Sequence, residues 1–187
     1  LKGKEISIND IPVRALRINY LGELGWELHH PMNQMENLYK GLMDSGKQFN
    51  ITNFGTYAVN SLRIEKAYKG WGSELTGEIS LVEAEMNRFY NLNTKNAFVG
   101  SEAIRERLDK GIDIKIVYLE VDADDADAIG NEPVYSQNKI IGVTTSGGYG
   151  FRVNKSLSFA YVKAELAEKE SEFEIEIQGK KRKAKVL

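Results

Sequence analysis

The sequence predicts an α+β chain in which an α/β part is followed, from about residue 111, by a mostly β part. Two patterns carry this expectation. Before residue 111, apolar residues recur at helical spacing in three separate stretches; after it, they alternate with polar ones at the period of a half-buried strand. At 187 residues, against a usual ~150 per domain, the chain has room for one domain or one and a half.

Taken in order, the first element is a strand over residues 13–20, with Leu16, Ile18 and Tyr20 on one face and Arg17 and Asn19 on the other. Gly22 and Gly25 break it, and residues 26–29 resume as a second strand. Pro31, which has no N–H for a ladder, ends that strand. Met35, Leu38, Tyr39, Leu42 and Met43 make one face of a helix over 33–45, with Gly46 placed as its C-cap. A second helix covers about 55–67, where Tyr57, Ala58, Leu62 and Glu65 form a stripe and Arg63 stands beside it. Residues 79–86 are helical or irregular. Residues 101–110 read as a short helix with Ser101 as N-cap and Gly111 at its end. Strands follow at 112–121, within 134–144, and at 158–162. The chain closes on a hairpin. A four-residue loop at 178–181 sets Glu176 opposite Lys183, Glu174 opposite Lys185, Ile175 opposite Ala184 and Phe173 opposite Val186.

Composition removes several classes of function. With 25 basic and 27 acidic residues the net charge is −2, so no basic field recruits nucleic acid or an anionic lipid surface. There is no cysteine, hence no disulfide, thiol nucleophile or thiolate metal site. No apolar run approaches the ~18–20 residues of a membrane span. His29 and His30 are the only histidines, and neighbours on a strand point to opposite faces, so no metal site is expected. The acidic stretch 122–127 has Asp127 and Pro133 where a calcium loop needs its glycine and closing glutamate, and is read as a solvated loop. Ser146-Gly147-Gly148-Tyr149-Gly150 lacks the lysine and hydroxyl residue of a phosphate loop and is read as a turn between strands.

More informative are Tyr20, Glu23 and Glu27, which flank the two-glycine turn with Trp26 beside the last of them. A partly buried glutamate there needs donors. Two sources fit: an arginine, Arg63 or Arg88, or a heterocycle whose adjacent N–H groups give a carboxylate two parallel charge-assisted bonds.

The segment Tyr20-Leu21-Gly22-Glu23-Leu24-Gly25-Trp26-Glu27-Leu28 resembles the Y-x-G-E-x-G-x-E motif of the folate-dependent aminomethyltransferases, the T-protein family of the glycine cleavage system. Ser61-Leu62-Arg63-Ile64-Glu65 is similar to that family's S-L-R-x-E helix, and Gly70-Trp71-Gly72-Ser73-Glu74-Leu75-Thr76 resembles its dimethylglycine and sarcosine dehydrogenase/oxidase branch. Phe98-Val99-Gly100, the run from Thr144 to Gly150, and Lys155-Ser156-Leu157 with Ala160-Tyr161-Val162 extend the likeness over nearly the whole chain.

The resemblance implies a partial T-protein-like folate-binding α/β domain followed by a small antiparallel β-barrel-like domain. Its boundaries fall at 1–100 for the folate-binding portion, 101–111 for a connecting helix and 112–187 for the barrel. It implies tetrahydrofolate as cofactor, with Glu27 on the pterin N–H edge, Tyr20 close by, Arg63 on carbonyl or carboxylate groups, and Arg88 toward the folate tail. The partner is the iminium that an FAD-bearing half of a larger flavoprotein makes from an N-methyl amine and that folate traps. FAD and the family's aspartate belong upstream of this chain, so no catalytic residue is assigned within it and the isolated chain is expected not to turn over. An uncovered sheet edge would open a route to a homo-oligomer. The compartment would be bacterial cytoplasm or, in a eukaryote, the mitochondrial matrix. Two alternatives share the fold: a stand-alone T-protein-like methyltransferase or demethylase, and a non-catalytic folate-binding scaffold.

Overall fold

A computed structural model describes residues 2–94 and 97–187. The chain forms two compact units, Leu1–Lys66 and Ala67–Leu187.

In the first unit, β1 (Gly3–Ile8), β2 (Ile11–Leu16) and β3 (Glu27–His29) form an antiparallel sheet in the order β1-β2-β3. The opening strand, β1, is absent from the sequence expectation because only Ile6 and Ile8 mark its inner face. Asn9 and Asp10 turn it into β2 with φ of 49° and 64°, the left-handed pair that a two-residue hairpin loop requires. Ile11 and Val13 from β2 and Leu38 from α1 (Met35–Gly46) make the small core, with Ile6, Ile8, Leu28 and Leu42 against it.

Strand β2 starts earlier and stops earlier than its 13–20 periodicity predicts. The Ile18 amide bonds back to the Leu16 carbonyl at 2.8 Å, and the Asn19 side chain then takes over. It accepts from the Leu21 amide at 2.8 Å and donates to the Glu23 carbonyl at 2.5 Å, a local alternative to the ladder. Gly46 also differs from expectation. It is helical at φ −78° and no C-cap; the left-handed residue is Asn50, at φ 56°, after a 3-10 turn at Lys47–Phe49. Glycine is needed at 46 because a Cβ there would sit 2.7 Å from the Cβ of Ile51. Helix α2 (Thr56–Ile64) is shorter than predicted, and the chain turns at Ala67 with φ 52°.

In the second unit, residues 79–86 take the irregular of the two forms the sequence allowed, with turns at 81–85. Helix α3 (Ser101–Lys110) ends at Gly111 as expected, but its N-cap is Gly100, and Ser101 is already helical. Six strands then close a barrel in the order β4-β7-β6-β5-β8-β9. They are β4 (Ile114–Val121), β5 (Pro133–Ser136), β6 (Lys139–Gly150), β7 (Lys155–Lys163), β8 (Glu172–Ile177) and β9 (Lys180–Val186). Val117, Leu119, Val134, Val162, Phe173 and Ile175 are among the residues that fill it.

Two sequence expectations fail in the barrel. The glycine-rich run 146–150 is no turn; it is the end of β6, paired with β7 from Ser146↔Phe159 to Gly150↔Lys155. The terminal hairpin has a two-residue loop, Gln178-Gly179 at φ 51° and 75°, so Glu176 faces Lys181, Glu174 faces Lys183, Ile175 faces Arg182 and Phe173 faces Ala184. The register differs from the predicted one by two residues, which leaves every side chain on the same face.

The segment before the barrel is pinned by a buried carboxylate. Glu83 accepts from Ser80 and from Arg107 of α3, whose Nε lies 2.5 Å away. Burial works to raise its pKa, but the hydrogen bonds from Ser80 and Arg107 outweigh it and the net shift is downward. The stability this contributes is present above the unfolded carboxyl value of about 4.3 and is lost as pH falls through the depressed folded value. Denaturant midpoints measured down to acid pH should therefore fall more steeply for the wild type than for Glu83→Gln. Parallel curves would refute the linkage.

Candidate functional site

Three of the four sequence-predicted site residues lie in the first unit. Glu27 opens β3 opposite Leu16 of β2, which leaves its side chain half exposed at the mouth of the glycine turn. Its side-chain contact is with His29, Nε2 to Oε2 at 3.4 Å, two residues along the same strand. That pair is long and solvated, and it leaves the carboxylate with acceptor capacity to spare. The pairing with Arg63 that the sequence left open is not made.

The same turn carries exposed aromatics. Trp26 is 53% exposed and Tyr20 40%, and the Arg17 guanidinium lies 5.3 Å from the Trp26 ring centroid. The turn between them has a defined seat. Gly22 adopts φ +70°, and a Cβ there would collide with the Lys66 side chain, whose Cδ would be 2.9 Å away. The turn thus packs on the stem of Lys66, just past the end of the helix that carries Arg63. A Cβ at Gly25 would press on the Asn19 side chain at 3.1 Å, a tighter fit than usual, so the stronger demand for glycine is at 22.

Arg63 is 5% exposed. Its Nε and Nη2 both donate to Asn60 Oδ1, at 3.0 and 2.8 Å. Its place in the last turn of α2 also suits the helix dipole. Arg88 belongs to the second unit, in a 3-10 turn at Asn87–Phe89, with its guanidinium 4.7 Å from the Phe89 ring centroid.

The sequence motif contains Glu74 without giving it a task. In the structure it is fully buried and accepts at least four hydrogen bonds. Gly70 N and Ser73 Oγ donate to Oε2 at 2.6 and 3.0 Å, and Thr145 and Ser146 Oγ of β6 donate to Oε1 at 2.7 and 2.5 Å. Tyr161 of β7 donates its hydroxyl to the Glu74 carbonyl at 2.8 Å. Burial, then the charges of Glu74 and Glu83, raise the Tyr161 phenol far above its ordinary range. Glu74 therefore fastens the Gly70–Leu75 turn, with Gly72 at φ +91° and Trp71 83% exposed at its tip, onto the barrel. No periodicity announces a buried glutamate in a loop; only its distant hydroxyl partners explain it.

Among the described residues no group of three or more His, Cys, Asp or Glu side chains is placed to hold a metal ion. None of the described helices is long and apolar enough to cross a membrane.

Residues 1–94 match the GCVT N-terminal domain, and residues 115–187 match the glycine cleavage T-protein C-terminal barrel domain. Over all 187 residues the chain is 44% identical to the mitochondrial dimethylglycine dehydrogenase of Rattus norvegicus, covering 22% of that protein. It is 32% identical over 151 residues, 81% of this chain and 16% of the relative, to the mitochondrial sarcosine dehydrogenase of Mus musculus. The crystal structure of the glycine cleavage system aminomethyltransferase T from Bartonella henselae superposes with a TM-score of 0.82 at 26% identity, covering 93% of this chain and 48% of that one. The chain thus spans about a fifth of the length of the first of these relatives.

Proposed function

Since the chain belongs to the glycine cleavage T-protein family, we propose that it is the tetrahydrofolate-binding, aminomethyl-transferring portion of a larger flavoprotein that oxidatively demethylates an N-methyl amine of the dimethylglycine or sarcosine type. Residues 1–100 would close the folate-binding domain, 101–111 connect, and 112–187 form the barrel. The compartment would follow the host, the mitochondrial matrix in a eukaryote or the cytoplasm in a bacterium.

The observation that carries this reading is Glu27: a half-exposed carboxylate with one weak partner, beside a turn that bears the exposed Trp26 and Tyr20 and is seated against Lys66, just past the end of α2. Such a group accepts two parallel N–H bonds from the edge of a pterin, while an aromatic neighbour shields them from water. Tetrahydrofolate, when bound, supplies the amine that takes up the one-carbon unit. What this chain's residues do is bind and orient. Arg63, buried and held by Asn60, would meet a carbonyl or carboxylate of the folate with its guanidinium, and Arg88 would offer a cation to the anionic tail. Fixing the acceptor and excluding water would protect the iminium passed from the flavin half from hydrolysis.

Substituting Glu27→Gln in the full-length protein keeps the size but turns one acceptor into a donor. The loss of a charge-assisted pair should weaken tetrahydrofolate binding by about 1.5–3 kcal/mol, with thermal stability close to wild type because the side chain is exposed. Calorimetric titration checks this, and unchanged affinity would remove Glu27 from the site.

A further inference from the structure

We propose that His29 is a positioning residue for Glu27, holding the carboxylate in the orientation in which both of its oxygens accept from one flat ligand edge. The proposal rests on the folate reading of Glu27 and adds a residue to it.

The strand fixes the pair. Glu27 and His29 are two residues apart on β3 and so share a face. The β2 ladder holds both in register, with Leu16 against Glu27 and Arg14 against His29. In the Nε2–H tautomer the ring donates to Glu27 Oε2, 3.4 Å away. Among the described residues this is the only polar contact of the Glu27 side chain. The arginines on β2 and just past it have other partners. Arg14 Nε lies 2.6 Å from Glu5 Oε1, and the Arg17 guanidinium lies over the Trp26 ring. The imidazole is therefore what restrains the carboxylate.

Restraint matters here because of what the ligand asks. A half-exposed glutamate turns broadly about its last torsion. A heterocycle that offers two parallel N–H groups needs both oxygens in its own plane, and stopping the rotation costs binding energy. One donor on Oε2 narrows that rotation in advance. It leaves Oε1 free and a second lone pair on Oε2, so the acceptors the ligand needs are kept. At 3.4 Å the bond is a weak one, and the expected effect is a few-fold change in affinity, not the loss of binding.

The test is a double-mutant cycle on tetrahydrofolate affinity, measured by calorimetric titration of the full-length protein at fixed pH. His29→Leu should weaken binding about threefold. His29→Gln, whose amide is again a donor, should bind like the wild type, a rescue that a purely structural role of the ring would not predict. In a Glu27→Ala background His29→Leu should change nothing further, because the carboxylate it positions is gone. His30→Leu is the control. That ring sits on the Pro31 carbonyl, 3.0 Å away, and its loss should leave the affinity unchanged. The proposal is overturned if His29→Leu binds like the wild type, if His29→Gln binds no better than His29→Leu, if His30→Leu weakens binding as much, or if the His29 effect is the same with and without Glu27. Unchanged affinity in Glu27→Gln alone would instead remove the folate reading, and the proposal with it.

Discussion

Glu74→Ala should destabilise the barrel-containing unit by on the order of 3 kcal/mol, because it strands four donors at once, that of Ser146 buried and the other three part-buried. The amide of Gly70 and the hydroxyls of Ser73, Thr145 and Ser146 all point at this one carboxylate. A methyl group replaces none of their acceptors and leaves a void too enclosed to be rehydrated freely. Glu74→Gln should cost less, since the amide keeps one acceptor oxygen and serine and threonine hydroxyls rotate to accept from its NH₂. Equilibrium denaturation distinguishes the pair. An alanine variant within about 0.5 kcal/mol of wild type, the range of an ordinary surface change, would show that the turn is held by something else. Because Trp71 rides on the same turn, its fluorescence should become more mobile in the alanine variant before the barrel itself unfolds.

The second large effect is expected at a glycine. Gly142→Ala in β6 would place a Cβ against the Tyr161 carbonyl oxygen and 2.7 Å from the Val162 Cα, both backbone atoms of the neighbouring β7. Backbone in a closed barrel has nowhere to move, so this overpacking should cost about 3 kcal/mol. Gly147→Ala meets the Ala128 carbonyl in the same way, with its carbon 2.9 Å away. Gly77→Ala is the control. It has open space around it and no left-handed φ, so it should be neutral or slightly stabilising through the unfolded chain. If Gly142→Ala and Gly77→Ala melt alike, the close approach of β6 and β7 is not what holds glycine at 142.

Much of the fold is legible in local pattern. The apolar spacing in 33–45, 55–67 and 101–110 locates all three α-helices to within a few residues, and Gly111 ends the last of them where a left-handed residue is required. Strand alternation likewise marks β4, β7 and β8. What escapes is decided by turns and partners. The opening strand β1 carries too few apolar residues to announce itself, and its Asn9-Asp10 loop matters only once β2 is there to pair with it. In the terminal hairpin, a slip of two residues preserves both charge pairing and burial, so alternation is blind to it. The left-handed pair Gln178-Gly179 breaks the tie.

By itself the sequence determined the α+β class, the mostly β second half and the motif from Tyr20 to Glu27, because each rests on residues close along the chain; that the second half closes as a barrel was only what the family resemblance implied. Tertiary structure decided the rest. Why 142 and 147 must be glycine depends on a strand and a loop that fold against them from elsewhere in the chain. Whether Glu27 pairs with Arg63 depends on where α2 comes to rest. That Glu74 is buried follows from two hydroxyls more than seventy residues away. A polar group's task is set by what surrounds it, and those surroundings exist only after the chain has closed.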